Sequence, residues 1–310
     1  MPSCLIPFAV PLSDAGRAVL GTLQLPRLSA LLARLQPAEP DIGSEWSLSP
    51  PHERALARAL GWAGPDGGLP WAARLAAADG IEVGELAWGL LTPAHWRLGT
   101  EQVSMADPEA LRLDEAGSRA CFEAVRELFT SEGYAMAWGA PLRWYIAHES
   151  LADLPCAALD RVIGRNVDAW LGSHPAARRL RRLQSEVQML LYTHTLNDLR
   201  EAQRQLPVNS FWLSGCGPAQ PVRGTPPTVE ARLCGPALAE DWAAWAKAWE
   251  TLDEGPLAAL LAAAQGGAPV ALTLAGERGV RSWHSAPRGL LQRLSGRFAR
   301  PALATVLDAL

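Results

Sequence analysis

The sequence predicts an α/β protein. Short apolar runs of strand length alternate with longer stretches in which apolar residues recur every three or four positions, the pattern of amphipathic helices. Gly- and Pro-rich connections separate the two kinds of segment. With 310 residues, 49% of them hydrophobic and 19% charged, the chain can bury a large core and is neither a disordered nor a coiled-coil protein. One α/β domain with an inserted lobe, or two modest domains, would account for this length.

The first third of the chain supplies one strand and two helices. Residues 5–10 predict a strand, and residues 25–35 predict a helix whose leucines share one face. A second helix is expected to run to Leu60, with Ser49 as its N-cap and Gly61 at its end. The loop that follows, residues 64–70, suggests a domain boundary.

The rest of the chain predicts a central block and a C-terminal series. Strand, helix, strand and strand are expected in the centre at residues 85–92, 114–130, 134–138 and 142–147. The later segments are a long helix at 175–205, a strand at 208–213, a loop at 214–236, a helix at 241–252, a buried strand at 270–274 and two closing helices. Trp242, Trp245 and Trp249 share one face of the helix at 241–252, which favours a core position for them. We expect residues 1–70 and 175–310 to form the core domain and residues 71–174 to form an inserted lobe.

Composition narrows the class of function. The net charge of −4 disfavours a protein that coats nucleic acid, and the single lysine, Lys247, disfavours Schiff-base enzymes and P-loop kinases. Five widely spaced cysteines without a C-x-x-C pair indicate reduced thiols. We expect a cytoplasmic protein, since the N-terminus lacks a signal-peptide pattern and no apolar run is long enough to span a membrane.

Common catalytic and cofactor motifs are missing from the sequence. It has no H-E-x-x-H, G-x-S-x-G, G-x-G-x-x-G or Walker pattern. We therefore expect no metal and no cofactor.

The most informative stretch is residues 186–217. His194, Asn197 and Arg200 recur at every third position near the end of the predicted long helix, and Asn209 follows at the next strand. The Arg200 fork could hold a carboxylate or phosphate, with the other side chains as directional donors. Alternatively, Arg200 pairs with a nearby glutamate or a carbonyl, and His194 is a satisfied core histidine.

These residues carry a resemblance to a known family. The stretch combines H-x-x-N-x-x-R with P-x-N-x-x-W-L-x-G-x-G, formed by His194, Asn197, Arg200, Pro207, Asn209, Trp212, Leu213, Gly215 and Gly217. It resembles the matching segment of archaeal-type cofactor-independent phosphoglycerate mutases, which belong to the alkaline phosphatase superfamily. The whole chain is similar to bacterial RpfE-type regulatory proteins. The resemblance implies an alkaline-phosphatase-like mixed sheet flanked by helices, with an inserted smaller α+β lobe.

Four further segments extend the resemblance. Glu85-Leu86-Ala87-Trp88 through Thr92 resembles the family's D-hydrophobic-A-F-R-C-N-L strand. Leu25-Pro26-Arg27-Leu28 resembles the family's T-P-N helix start, and Trp249-Glu250-x-Leu252-Asp253 resembles its I-E-x-I-D helix. Arg143-Trp144-Tyr145 resembles its Y-R-H-L segment, which adds Arg143 to the residues expected to bind an anionic ligand.

The metal-binding motifs of the superfamily are absent. The first strand lacks Asp-Gly, and the P-G-S-D position of the serine nucleophile reads Pro50-Pro51-His52-Glu53. Ala275-Gly276-Glu277-Arg278 stands where Asp-His is expected, and no D-x-x-x-H occurs. Two-metal phosphoryl transfer needs these ligands. His52 is at most a weak catalytic candidate, because nothing else in the local sequence supplies a triad and a first-turn histidine on the surface or core edge explains it better.

Three hypotheses follow. The first is a regulatory or ligand-sensing protein that binds a small anionic metabolite without metal-dependent turnover, with a protein partner also compatible. The second is an active phosphoglycerate mutase or related phosphotransferase. The third is a nucleic-acid-associated regulator that uses a patch formed by Arg178, Arg179, Arg181 and Arg182; pairing of these arginines with acidic residues of the middle lobe is the alternative interpretation.

Overall fold

The computed structural model describes residues 1–100, 102–172, 174–285 and 307. The chain divides into two compact units. Unit 1 is formed by Met1–Trp46, Pro50–Gly61 and the described part of Val222–Leu310, and unit 2 by Ser47–Ser49 and Trp62–Pro221.

The strands in the described residues are short and fall in three sheets. In chain order they are β1 (Ser3–Ile6), β2 (Gln36–Pro37), β3 (Asp41–Ile42), β4 (Ala87–Ala94), β5 (Trp96–Leu98), β6 (Val103–Met105), β7 (Ala135–Ala140), β8 (Arg143–Ala147), β9 (Ser210–Pro218), β10 (Thr228–Val229), β11 (Ala271–Ala275) and β12 (Gly279–His284).

The α-helices in the described residues vary more in length. They are α1 (Asp14–Thr22), α2 (Pro26–Leu32), α3 (Pro51–Leu60), α4 (Trp71–Ala78), α5 (Glu115–Thr130), α6 (Pro175–Tyr192), α7 (Thr195–Ala202), α8 (Cys234–Leu238), α9 (Trp242–Leu252) and α10 (Ala258–Gln265).

Unit 1 contains a mixed sheet. β1 pairs in parallel with β10 and β11, β11 pairs antiparallel with β12, and β12 pairs antiparallel with both β2 and β3. The central strands are continuous apolar runs because helices cover them, as expected for parallel strands. The predicted α/β class is confirmed.

Tryptophans of α9 form part of the unit 1 core. Trp245 and Trp249 are fully buried and pack edge to face, with ring centroids 6.1 Å apart. The predicted core position of this stripe is therefore confirmed, with Trp242 partly buried at its edge. After α9 the chain makes a π-helical turn, Asp253–Leu257, that contains Pro256. Proline lacks the N–H of a regular helix, which explains the local change in hydrogen bonding.

Unit 2 is built on an antiparallel sheet in the order β7-β8-β4-β9. Helices α5 and α6 supply apolar side chains to its main core, including Phe122, Val125, Leu183 and Val187. Helix α5 starts at the N-cap Asp114, whose carboxylate accepts the N–H of Gly117 at 2.7 Å. The helix expected at 114–130 is thus found with nearly the same bounds.

The observed division differs from the expected domains at its C-terminal end. Residues 175–221 belong to unit 2, because β9 pairs along most of β4, from Ala94 opposite Ser210 to Ala87 opposite Pro218. The loop expected at 214–236 is also wrong in part, since β9 continues to Pro218 and β10 and α8 follow. Strand pairing here overrides the Gly- and Pro-rich local sequence.

The helix expected at 175–205 is two helices, α6 and α7, which are separated at residues 193–194. The predicted N-cap of α3 is also wrong. Pro50 occupies that position, and the Ser49 hydroxyl instead accepts the N–H of Gly67 at 2.8 Å. Gly61 ends α3 with a left-handed φ of 76°, as expected.

The two helices expected to close the chain lie outside the described residues, apart from Leu307, which packs in the unit 1 core. Within the described residues, no helix combines the length and apolar character needed to cross a bilayer.

Candidate functional site

His194 and Asn197 organise the junction between α6 and β9. His194 has extended backbone and caps α7, because its Nδ1 accepts the N–H of Leu196 at 3.2 Å. Asn197 is buried and donates from Nδ2 to the carbonyls of Leu191 and Val208, both at 2.8 Å, while its Oδ1 accepts the Val208 N–H at 2.9 Å. The amide therefore joins the end of α6 to the chain entering β9.

Arg200 is buried and donates to backbone carbonyls. Its Nε lies 2.8 Å from the carbonyl oxygen of Leu206, and its Nη2 donates to the carbonyl of Leu111. Burial lowers the pKa of the Arg200 guanidinium. A buried guanidinium is tolerated when its donors are satisfied, and here backbone carbonyls accept from two of its nitrogens, Nε and Nη2.

Asn209 and Arg143 also bind protein groups. Asn209 accepts the N–H of Trp96 at 2.7 Å and donates to the carbonyl of the same residue at 2.9 Å. Arg143 forms a two-point ion pair with Asp79, at 2.8 Å from Nε and 2.7 Å from Nη2, and the Tyr145 hydroxyl donates to the same carboxylate at 2.6 Å. The hydrogen bonds from Arg143 lower the pKa of Asp79, and burial raises the pKa of Tyr145.

These contacts favour the alternative interpretation of the predicted ligand-binding residues. The polar groups described above bond helix ends, loops and strands to one another. Asn197, Arg200 and Asn209 lie in one region of unit 2, but each of them donates to backbone carbonyls of the protein. Their assignment to anion binding stays a prediction that the contacts do not support.

The segments that follow β1 and β11, where the sequence lacks Asp-Gly and Asp-His, make contacts within the protein. Phe8 follows β1 with a positive φ of 53°, and its ring lies 5.8 Å from that of half-buried His52. Its carbonyl accepts the indole N–H of Trp245 at 3.0 Å. Glu277, after β11, accepts the Leu12 N–H at 3.1 Å. In the part of the chain that the structure describes, no three His, Cys, Asp or Glu side chains come together as a metal site.

Unit 2 contains a cleft of about 60 Å³ that opens to solvent. One helical stripe of α6 lines it, formed by Ala177, Leu180, Arg181 and Gln184. Residues 154–157, 170–172 and 211–213 complete the walls, and apart from Arg181 and Gln184 the described lining is mostly apolar or aromatic. An apolar cleft with a few polar groups is the usual form of a small-molecule site.

Hydrogen bonds hold two walls of the cleft to β9. The Trp212 indole N–H donates to the carbonyl of Ala157 at 2.9 Å, which fixes the loop at 154–157. Buried Gln184 donates from Nε2 to the carbonyl of Phe211 at 2.8 Å, which fixes α6. Because these walls are held by the fold, the cleft is preorganised and a ligand does not have to order it.

Arg181 differs from its neighbours in its partners. Arg179 and Arg182 both contact Glu132, and Arg182 also pairs with Glu186 at 3.4 Å. The expected pairing of the arginine patch with acidic residues of the middle region is thus confirmed for these two. Arg181 is half-buried at the cleft and pairs with no carboxylate among the described residues.

The arginine patch in the sequence pointed to this site, but it did not indicate which arginine would line the cleft. The patch of arginines was visible in the sequence. Which of them contact Glu132 and which lines the cleft depends on how α6 packs, and the sequence does not show that. Trp212 belonged to the P-x-N-x-x-W-L motif, but nothing in the sequence indicated that it would face Arg181.

Comparisons with known proteins give distant likenesses only. No family model and no curated protein matches the chain. Among solved structures, it is similar to a cofactor-independent phosphoglycerate mutase from Thermoplasma acidophilum DSM 1728, at 15% identity and a TM-score of 0.38, over 100% of this chain and 99% of that one. It is also similar to the PH0037 protein from Pyrococcus horikoshii, at 12% identity and a TM-score of 0.46, over 92% of this chain and 87% of that one. Values this low assign the chain neither a family nor an activity.

Proposed function

We propose that this protein binds a small molecule with one carboxylate or phosphate and a short apolar group, and that it acts as a regulatory or ligand-sensing protein without metal-dependent turnover. The observation that carries the proposal is Arg181, a half-buried residue that lines an apolar cleft and whose guanidinium lacks a carboxylate partner in the described residues. The site differs from the residues expected from the sequence, but the ligand class is the same.

The size of the cleft limits the apolar part of the ligand. The enclosed space of about 60 Å³ is well below the roughly 150 Å³ of a cavity that holds a benzene ring. A chain of three or four carbons is therefore a better fit than an aromatic ring or a long acyl chain. Trp170, Phe211 and Trp212 supply the apolar contact surface.

Charge favours an anion at the mouth of the cleft. Arg178, Arg179, Arg181 and Arg182 lie in the first turns of α6, where the helix dipole disfavours cations. The carboxylate of Glu132 offsets this unfavourable interaction with the helix dipole for Arg179 and Arg182. A carboxylate or phosphate at Arg181 would do the same for a third arginine, and the planar fork can bind either group through two hydrogen bonds.

The lining supports binding without turnover. Among its described residues there is no His, Asp, Glu, Lys or Tyr, so apart from the thiol of Cys156 the lining offers none of the usual general acids and bases. The resemblance to RpfE-type regulatory proteins is the reason for proposing a regulatory role, in which a protein partner would respond to the occupied cleft.

Trp170 and Trp212 allow a direct test by nuclear magnetic resonance of the intact protein. We expect butyrate, isobutyrate and propyl phosphate to shift the indole N–H signals of these two residues saturably, since their rings line the cleft. The uncharged isostere 1-butanol and the cation butylammonium should cause much smaller shifts. Equal responses to acid, alcohol and amine, or shifts confined to other tryptophans, would contradict the proposal.

A further inference from the structure

Two of the cysteines lie against each other in unit 2. The Sγ atoms of Cys156 and Cys216 are 3.4 Å apart, and both residues are free thiols. Cys156 is half-buried in the wall of the cleft, whereas Cys216 is buried on β9. Nothing in the sequence indicates this pair, because 60 positions separate the two residues.

The backbone on both sides of the pair is fixed. Cys156 donates its backbone N–H to the carbonyl of Gly67 at 3.0 Å. Cys216 lies in a β-bulge of β9, and residues on either side of it pair with β4, Ser214 opposite Leu90 and Gly217 opposite Trp88. Because neither segment is loose, the two sulfur atoms stay neighbours in the folded protein. A disulfide bond of about 2.05 Å would require them to approach by only about 1.3 Å.

We propose that Cys156 and Cys216 form a reversible redox pair that a peroxide converts to an intramolecular disulfide. This proposal does not depend on the ligand proposed for the cleft. The thiolate of Cys156 attacks one peroxide oxygen, the O–O bond breaks, and hydroxide leaves, so that Cys156 becomes a sulfenic acid. The sulfur of Cys216 then displaces the sulfenic hydroxyl. In total, two thiols lose two electrons and two protons, and one hydrogen peroxide is reduced to two waters.

The environments of the two thiols assign their roles. Cys156 is the sulfur that a peroxide entering the cleft can reach, so it reacts first. Contact with Cys156 and complete burial raise the pKa of the Cys216 thiol, which keeps Cys216 protonated until the sulfenic acid forms beside it. Reduced protein in a reducing compartment would then be the resting state, and the disulfide would be a transient oxidised state.

Two of the three remaining thiols, both of them buried, provide controls. Cys121 lies in the core of unit 2, and burial raises the pKa of its thiol to about 12. Cys4 is buried in unit 1, where burial likewise raises its pKa to about 12. Neither thiol lines the cleft. A peroxide should therefore oxidise Cys156 and Cys216 and leave Cys121 and Cys4 reduced.

The test uses the full chain treated with a small excess of hydrogen peroxide, followed by alkylation, intact mass analysis and peptide mapping. We expect the loss of two hydrogens, two fewer alkylated thiols, and a cross-linked peptide that joins Cys156 to Cys216 and is released by dithiothreitol. Cys121→Ser should behave like the wild type. In Cys216→Ser, Cys156 should stop at the sulfenic acid and be trapped by dimedone.

Three outcomes would overturn the proposal: no loss of hydrogens in the wild type, a cross-link that involves a different cysteine, or oxidation of Cys156 to the sulfinic acid without a disulfide. The wild-type peptide map decides among these outcomes even if one of the variants does not fold.

Discussion

The carboxylate of Asp253 accepts the backbone N–H of Leu28 at 2.8 Å. It also accepts the N–H of Arg27 at 3.3 Å, so a side chain from the π-helical turn after α9 caps the N-terminus of α2. No residue of α2 provides a side-chain cap of its own. The contact joins two segments that the sequence singled out separately, Leu25-Pro26-Arg27-Leu28 and Trp249-Glu250-x-Leu252-Asp253.

Replacing Asp253 should destabilise unit 1. In Asp253→Ala the free N–H groups of α2 lose their acceptor, and we expect the free energy of unfolding in urea to fall by about 2 kcal/mol. Asp253→Asn keeps one acceptor oxygen, so its free energy of unfolding should fall by about half as much. Glu254→Ala, at the exposed neighbouring position, is the matched control and should change stability by less than about 0.5 kcal/mol. Equal effects at both positions would show that the cap contributes nothing.

Arg200 should behave as a structural residue. Arg200→Ala leaves the carbonyls of Leu206 and Leu111 without their donor, and we expect a loss of about 3 kcal/mol in unfolding free energy. Arg200→Lys should recover little, because one ammonium cannot replace a fork directed at two separate carbonyls. The exposed Arg204→Ala is the control. If Arg200→Ala kept full stability and instead abolished binding of butyrate, the anion-binding interpretation of Arg200 would be restored.

The ion pair of Asp79 with Arg143 should make stability depend on acid pH. The pKa of Asp79 is lower in the folded protein than in the unfolded chain, where the pKa of an aspartate is about 3.9. The pair therefore contributes fully above that value, and its contribution is lost as the pH falls through the folded pKa. We would measure the free energy of unfolding in urea at pH 6 and at pH 3. Asp79→Asn should be less stable than the wild type at pH 6, and its unfolding free energy should fall by less than that of the wild type between pH 6 and pH 3. Glu82→Gln, an exposed neighbour, should keep the wild-type pH dependence.

Elements with complete local signals were predictable from the sequence. The helix at 114–130 was predictable because its apolar residues recur at helical spacing, and in the structure Asp114 caps its first turn. The tryptophan stripe of α9 was readable for the same reason: large aromatic residues at spacings of three and four are usually buried.

Features that depend on tertiary contacts were not predictable. The break between α6 and α7 contains neither Gly nor Pro, and it is set by the cap at His194 and the bridging amide of Asn197. β9 continues through Gly215 and Gly217, with φ values of 63° and 145°, because β4 holds it in the sheet. The place of Arg181 at the cleft depends on how α6 packs, so it could not be predicted from the sequence.

Divalent metal should not stabilise the protein. The sequence lacks the ligand motifs of the superfamily, and no group of potential ligands assembles within the described residues. A ligand that binds only the folded state raises its stability, so we expect manganese or zinc to leave the unfolding transition unchanged and to produce no conversion of 3- to 2-phosphoglycerate. Two tightly held ions per chain, or mutase turnover that chelation abolishes, would support the phosphotransferase hypothesis instead.

Calorimetric titration of butyrate into the wild type, Arg181→Gln and Arg178→Gln tests the central claim most directly. Both variants remove one positive charge from the same end of α6, but Arg178 is exposed and only Arg181 lines the cleft. We predict saturable binding to the wild type with a Kd on the order of 1 mM, a loss of about tenfold or more in Arg181→Gln, and nearly unchanged binding in Arg178→Gln. Equal weakening by the two variants, or no saturable binding to the wild type, would contradict the assignment of the cleft as an anion-binding site.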